Sequence, residues 1–136
     1  MRRWTTGAAA VLLCAGAVAH AHHSVAGQYD ETREATIDGV ITQFRFVNPH
    51  PRITVTETDG GEVWRFDLDN LSEFSAVGFT GDDLTLGDRI IVLGWLDRRE
   101  TNRLYVMRLE RPVDGFGFEQ IGNHPQLLEP RSSGDR

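Results

Sequence analysis

The chain has 136 residues, of which 40% are hydrophobic and 25% are charged. These values are typical of one small globular domain and exclude a disordered chain. The formal net charge is −6 at pH 7, and all 14 basic residues are arginines. Because nucleic-acid binding needs clustered positive charge, we expect no nucleic-acid partner.

Residues 1–21 have the pattern of a cleaved signal peptide. Arg2 and Arg3 precede an apolar run, residues 7–19, and small residues suited to cleavage follow it. The run is shorter than the roughly 20 residues that a membrane-spanning helix needs. We therefore predict a periplasmic or secreted bacterial protein without a membrane span.

The single cysteine, Cys14, lies inside this apolar run. If Cys14 is removed with the signal peptide, the mature chain has neither a disulfide nor a thiolate metal ligand. Lipid attachment at Cys14 is a minor alternative, since Leu13 stands where a lipoprotein site has a small residue.

The cleavage region contains histidines whose role depends on where the peptidase cuts. Cleavage after Ala21 makes His22 the N-terminal residue, whose amine and imidazole can chelate one ion. Cleavage after Ala19 puts His22 in the third position, which suits square-planar Cu(II) or Ni(II). Both chelates need a neutral amine, so metal binding should weaken on acidification. The alternative is a frayed polar terminus that contains histidines.

Alternation and turn residues predict five strands, of which the first covers residues 36–47. One face of this strand carries Val40, Thr42, Phe44 and Phe46. Ile37 is out of phase with that face, which predicts a β-bulge at Gly39. Two prolines within residues 48–51 end the strand, because proline has no backbone donor for the ladder.

The second and third strands form a predicted hairpin over residues 52–58 and 62–69, with its turn at residues 59–61. The inner face of the third strand carries Trp64, Phe66 and Leu68. Asp67 and Asp69 fall on the opposite face, which we expect to meet solvent.

A short helix and two further strands follow. Asn70 begins a capping-box pattern, which predicts a helix over residues 71–77. Residues 89–95 are nearly all apolar and predict a strand buried on both faces, and residues 103–111 predict a fifth strand. The Gly- and Pro-rich residues 113–136 predict an irregular tail.

Five strands with one short helix between the third and the fourth follow the order of the OB-fold. We predict an all-β fold, a five-stranded OB-fold-like Greek-key barrel over residues 35–112, preceded by a histidine-containing segment, residues 22–34. Such barrels bind ligands over strands two and three and at the loops that join strands one to two and four to five. In this chain those loops are residues 48–51 and 97–102.

Several motifs resemble an uncharacterised family of small secreted bacterial proteins, a domain of unknown function. They are Ala21-His22-His23-Ser24, Tyr29-Asp30, Gly39-Val40, Asn48-Pro49-His50, Trp64 and Leu86-Gly87-Asp88. The resemblance covers roughly residues 21–112 and favours cleavage after Ala21. Val25 departs from it, since the family has a bulkier aromatic residue there. The resemblance implies a fold and a compartment but no activity.

The candidate metal ligands are His22, His23 and His50. His50 has little backbone freedom between Pro49 and Pro51, as a preorganised ligand requires. Imidazoles and an amine without a thiolate suit copper, which we favour, or zinc. Further candidate ligand-binding residues are Asn48, Pro49, Asp30 and Trp64. The alternative is that Asn-Pro-His only forms the turn.

Other chemistry finds less support in the sequence. Residues 67–70 imitate a calcium loop, but Leu71 occupies a ligand position. Asp67 and Asp69 share a strand face with Arg65, which favours a solvated row of charges over an acid–base pair. No serine lies in a nucleophile elbow.

Three functions therefore remain open. The first is a non-enzymatic protein that passes or buffers copper. The second is a binding module for a small molecule, an envelope glycan or a partner protein. The third is a copper or zinc enzyme, which is the least favoured because no acid, base or nucleophile can be assigned beside the histidines.

Overall fold

The computed structural model describes the backbone of residues 22–121 and 124–128 and the side chains of residues 25–120 and 124–128. The predicted signal peptide lies outside these ranges. The elements in chain order are α1 (His22–Gln28), β1 (Tyr29–Arg45), β2 (Arg52–Glu57), β3 (Val63–Asp67), α2 (Leu71–Ala76), β4 (Arg89–Asp97), β5 (Arg103–Glu110), β6 (Gly117–Ile121) and β7 (His124–Leu127). Among the described residues, no helix is long and apolar enough to cross a membrane.

The fold is mostly β, as predicted. Within the described residues, seven strands form one sheet in the order β3-β2-β1-β4-β5-β6-β7 with antiparallel neighbours, and β3 also pairs in parallel with β5. The predicted helix between the third and fourth strands is α2.

The prediction of a single helix was wrong, because residues 22–28 form α1. Hydrogen bonds with residues at the end of β4 hold this helix, two of them made by Gln28. The Arg98 amide donates to the Gln28 carbonyl at 2.9 Å, and the Gln28 side chain donates to Asp97 at 3.0 Å. Both contacts join residues far apart in the sequence, so no local pattern reveals them.

The bulge in β1 does not lie at Gly39, as the sequence predicted. Gly39 is in register with β2 and with β4, and the register shift against β2 falls between Ile41 and Gln43. A Cβ atom at Gly39 would lie 2.8 Å from the Thr56 carbonyl oxygen. Glycine is therefore required there by the close approach of β2.

This shift changes which residues of β1 face the core. Ile37 and Ile41 are buried, whereas Val40, which the sequence placed on the inner face, is 37% exposed. Beyond the shift, Phe44 and Phe46 pack against the core as predicted. The extra residue of the bulge reverses which side chains of β1 point inward. The inner face predicted by counting back from Phe44 is therefore the outer face before the bulge.

The predicted hairpin and helix are confirmed. Ile53 of β2 and Phe66 of β3 are directly paired and fully buried. The Asn70 side chain accepts a hydrogen bond from the Ser72 amide at 2.9 Å and thereby caps α2. Phe74 of α2 packs into the same core.

The C-terminal segment is not wholly irregular, because β6 pairs with β5 and β7 pairs with β6. Phe118 of β6 lies opposite Leu109 and is fully buried. A Cβ atom at Gly117 would lie 2.0 Å from the Leu109 carbonyl oxygen. The glycine that suggested a loop is thus what allows the two strands to approach.

Candidate ligand-binding site

An open pocket with a cavity volume of about 100 Å³ lies beside α1, the loop after β1 and the ends of several strands. Its polar lining consists of Gln28, Tyr29, His50, Arg52, Asp67 and Arg103. Val25, Leu68 and Tyr105 complete the wall. We call this the His50 pocket.

Strand register brings the polar residues together. Arg52 begins β2 and pairs directly with Asp67, the last residue of β3. Asp67 in turn pairs with Tyr105 of β5. Tyr29 begins β1, immediately after α1. The pocket therefore lies where four strands and a helix converge.

Asp67 is the centre of the hydrogen-bond network in the pocket. Its Oδ1 atom accepts from Arg52 Nε at 2.7 Å, and its Oδ2 atom accepts from the Tyr29 hydroxyl and from Arg103 Nε, each at 2.6 Å. Burial alone would raise the pKa of Asp67, but the three hydrogen bonds together lower it. Asp67 is thus a buried, ionised carboxylate rather than part of the predicted solvated row, and that prediction was wrong.

Both tyrosines of the pocket are neutral. Burial raises the pKa of Tyr29 well above its usual range, and its hydrogen bond to the charged Asp67 raises it further. Burial also raises the pKa of Tyr105, with the negative charge of Asp69 adding to the effect. Tyr29 therefore acts as a fixed donor to Asp67.

Arg103 is held on several sides. Its Nε atom donates to Asp67, its Nη1 atom donates to Glu100, and the same Nη1 lies 3.6 Å from Asp97. Its guanidinium also lies over the Tyr29 ring, 5.8 Å from the centroid. Its positive charge is therefore largely matched by neighbouring carboxylates.

Asp97 connects this network to α1. It is buried, and its Oδ1 atom accepts from the backbone amides of Arg99 and Glu100 at 2.8 and 2.9 Å. Its Oδ2 atom accepts from the Gln28 side chain. The pKa of Asp97 is lowered because these hydrogen bonds outweigh the effect of burial. The helix that forms one wall of the pocket is thus anchored to β4.

Arg52 differs from Arg103 because much of it remains free. Its side chain is 41% exposed, and beyond the Nε bond to Asp67 its two terminal nitrogens make no hydrogen bond to the described residues. His50, also exposed, has no hydrogen bond or ion pair with the described part of the chain. The lining of the pocket therefore includes partly exposed donors that no described residue uses.

The structure places His50 beside the helix that carries His22 and His23. Val25 and Gln28 of α1 line the same pocket as His50. The side chains of His22 and His23 lie outside the described atoms. Among the side chains that are described, no group of three or more His, Cys, Asp or Glu residues is arranged to hold a metal ion.

The other predicted ligand-binding residues do not line the pocket. Asp30 accepts hydrogen bonds from the backbone and hydroxyl of Thr32 and lies 3.6 Å from Arg98. Trp64 is half-buried on β3 and packs against the core.

Asn48 and Pro49 are joined by a cis peptide bond in the loop before His50. The Pro49 carbonyl accepts from the Leu71 amide at 3.2 Å, which ties this loop to the start of α2. These two residues therefore position His50 rather than contribute to the wall of the pocket.

Of the nine residues that line the pocket, only His50 was predicted as a site residue, and the charged residues Arg52, Asp67 and Arg103 are among the eight that were not. One pair could have been predicted from the sequence, because a hairpin with its turn at residues 59–61 places Arg52 opposite Asp67. An aspartate directly across from an arginine indicates an ion pair. Tyr29 and Arg103 come from distant strands and left no comparable signal.

Comparisons with known proteins agree with the resemblance noted in the sequence. No curated protein and no solved structure matches the chain. The model of a family of unknown function, DUF6152, matches residues 9–104, which is more than half of the chain. The protein therefore belongs to the DUF6152 family.

Proposed function

We propose that the protein is a binding module that takes a small molecule into the His50 pocket. The observation that carries this proposal is that the terminal nitrogens of Arg52 make no hydrogen bond to the described residues, at an open pocket whose other polar groups, apart from His50, are paired. Small-molecule sites typically combine an apolar wall with a few convergent polar groups that set orientation. Leu68 and Tyr105 supply such a wall here.

We further infer that the first five strands form an OB-fold-like Greek-key barrel. The pairings of β1 with β2, β2 with β3, β3 with β5, β5 with β4 and β4 with β1 support this inference. Barrels of this kind bind ligands over strands two and three. Arg52 and Asp67 come from those strands, so the pocket lies where the fold favours a ligand.

The proposed compartment is the periplasm or the outside of a bacterial cell. This rests on residues 1–21, whose basic start, apolar run and small residues are those of a signal peptide. In the periplasm or outside the cell, the pocket would be available to a small nutrient, an envelope component or a partner protein.

The test is a ligand screen on the exported protein purified without a tag. We expect at least one small molecule to raise the unfolding temperature, because a ligand that binds only the folded state stabilises it. Arg52→Gln should abolish the effect, whereas Arg33→Gln, a matched change at an exposed position outside the pocket, should preserve it. Equal losses in both variants would contradict the proposal.

A copper site is the second candidate function. Its support is that α1, which begins with His22 and His23, lies against the pocket that His50 lines. A free N-terminal His22 would offer an amine and an imidazole, and His50 would offer another imidazole. Copper suits these nitrogen ligands best, with zinc as the other choice.

We expect His50→Ala to weaken copper binding by about tenfold or more, equivalent to about 1.4 kcal/mol. The melting temperature of the metal-free protein should hardly change, because His50 is exposed and makes no hydrogen bond to the described residues. Metal titration, with intact mass to identify the N-terminus, measures both. An affinity no greater than that of a disordered His-containing peptide would contradict the copper proposal.

A further inference from the structure

We propose that the ligand of the His50 pocket is a small carboxylic acid whose carboxylate binds the free end of Arg52. This proposal deepens the proposed function and rests on it. It depends on a count of the donors and acceptors that the pocket leaves unused.

Among the described residues, the pocket has no free carboxylate that could bind a cationic ligand. Asp67 is the only carboxylate in the wall, and its two oxygens already accept three hydrogen bonds. Because it is buried, with 7% of its surface exposed, it is also poorly placed to meet an incoming ammonium group. An amine would have to break the network to find a partner.

The pocket does have free hydrogen-bond donors on a charged group, Arg52. The charge of Arg103 is compensated by Asp67, Glu100 and Asp97. Among the described residues, the ionic partner of Arg52 is Asp67 alone, which it shares with Arg103. The two terminal nitrogens of Arg52 are unpaired among the described residues. A planar guanidinium edge of this kind matches the two oxygens of a carboxylate.

Arg52 is held in place before any ligand arrives. Its Nε atom is bonded to Asp67, which is in turn fixed by Tyr29 and Arg103. Because the guanidinium is already fixed in this way, ligand binding loses less side-chain entropy. The hydrogen bonds that occupy the Asp67 oxygens therefore also orient the terminal nitrogens of Arg52.

Size and polarity favour an organic acid over inorganic phosphate. The cavity of about 100 Å³ is smaller than the ~150 Å³ cavity that holds benzene, so it fits a short aliphatic chain. Val25, Leu68 and the Tyr105 ring offer apolar contacts to such a chain. Inorganic phosphate would gain nothing from these side chains.

The experiment titrates the exported protein with butyrate, butyramide, propylamine and inorganic phosphate, followed by amide shifts in NMR spectra. Butyrate should give saturable shifts around the pocket and bind at least about tenfold more tightly than butyramide, which has the same shape without the charge. Because the comparison uses the unaltered protein, it does not depend on how any variant folds.

Two variants sharpen the assignment. Arg52→Lys keeps the charge but loses the planar edge, so we expect weaker butyrate binding, with Arg52→Gln weaker still. Arg33→Gln should bind butyrate as the unaltered protein does, because Arg33 is exposed and outside the pocket.

The outcomes separate this proposal from the broader one. Butyramide or propylamine binding in the pocket as tightly as butyrate would overturn the carboxylate assignment and leave the binding module intact. Tighter binding of phosphate than of any carboxylate would do the same. If a wide screen finds no small molecule that shifts the pocket amides, both proposals fail.

Discussion

Two regions of this molecule are dense with side-chain interactions, and they differ in whether they leave hydrogen-bond donors unpaired. The first is the network around Asp67, and the second is an aromatic cluster formed by Phe44, Phe46, Phe74, Phe79, Phe116 and Phe118. Phe74, Phe79 and Phe118 are fully buried with ring centroids 4.8 to 5.5 Å apart. The rings of the cluster pack against one another, whereas the network ends in the terminal nitrogens of Arg52, which no described residue uses.

This difference separates stability from function. Buried aromatic rings contribute mainly through apolar surface removed from water and through edge-to-face contacts. The Asp67 network takes charged groups out of water, which gives little net stability even when they are well paired. We propose that the role of this network is to orient Arg52 at the pocket.

The largest expected effect is in the aromatic cluster. Phe79→Ala should lower the free energy of unfolding by about 3–5 kcal/mol, because it opens a cavity among five other rings. Urea denaturation measures the change. Leu86→Ala, at a side chain that is 67% exposed, is the control and should change stability by less than about 0.5 kcal/mol. A loss below 1 kcal/mol at Phe79 would show that the cluster is not the main source of stability.

A smaller effect is expected at the centre of the network. Asp67→Asn should lower the free energy of unfolding by about 2–3 kcal/mol, since it leaves two arginines without their shared carboxylate. Partial exposure of Arg52 keeps the loss below that of a fully buried pair. Asp82→Asn, at an exposed position, is the matched control.

The pH dependence of the stability lost in Asp67→Asn identifies the cause of that loss. Because the pKa of Asp67 is lowered in the folded state, its contribution is present above the ordinary aspartate pKa of about 3.9 and is lost as the pH falls through the lower folded value. The difference in stability between the unaltered protein and Asp67→Asn should therefore be constant near neutral pH and shrink below about pH 4. A difference that persists in acid would indicate lost packing rather than lost charge.

The smallest effect is expected at the helix that carries Phe74 into the aromatic cluster. Asn70→Ala removes the side-chain acceptor for the Ser72 amide and should cost about 1 kcal/mol. Ser75→Ala, at an exposed position of the same helix, keeps the cap and should be neutral. A ligand affinity unchanged in Asn70→Ala would support the separation of the two regions.

Elements with a local signal were predictable from the sequence. The β2–β3 hairpin followed from the turn at residues 59–61, and α2 followed from the Asn70 cap. β6 was not predictable, because the glycine at 117 reads as a loop until the Leu109 carbonyl opposite it is known. The bulge in β1 was recognised from an inverted alternation but was placed at the glycine rather than between Ile41 and Gln43.

The candidate site was predictable only in part for the same reason. His50 was recognisable because two prolines restrict it within one short segment. Asp67 is buried through contacts with Tyr29 and Arg103, which lie 38 and 36 positions away in the sequence. Alternation alone assigns such an aspartate to solvent, since the partners that offset its burial come from other strands.

The most direct test of the central claim is amide NMR of the exported protein during titration with butyrate. We expect saturable shifts at Arg52, Asp67 and Tyr105, with no shifts at Phe79 and Phe118 in the aromatic cluster. Saturable shifts confined to the aromatic cluster, with the pocket amides unmoved, would contradict it.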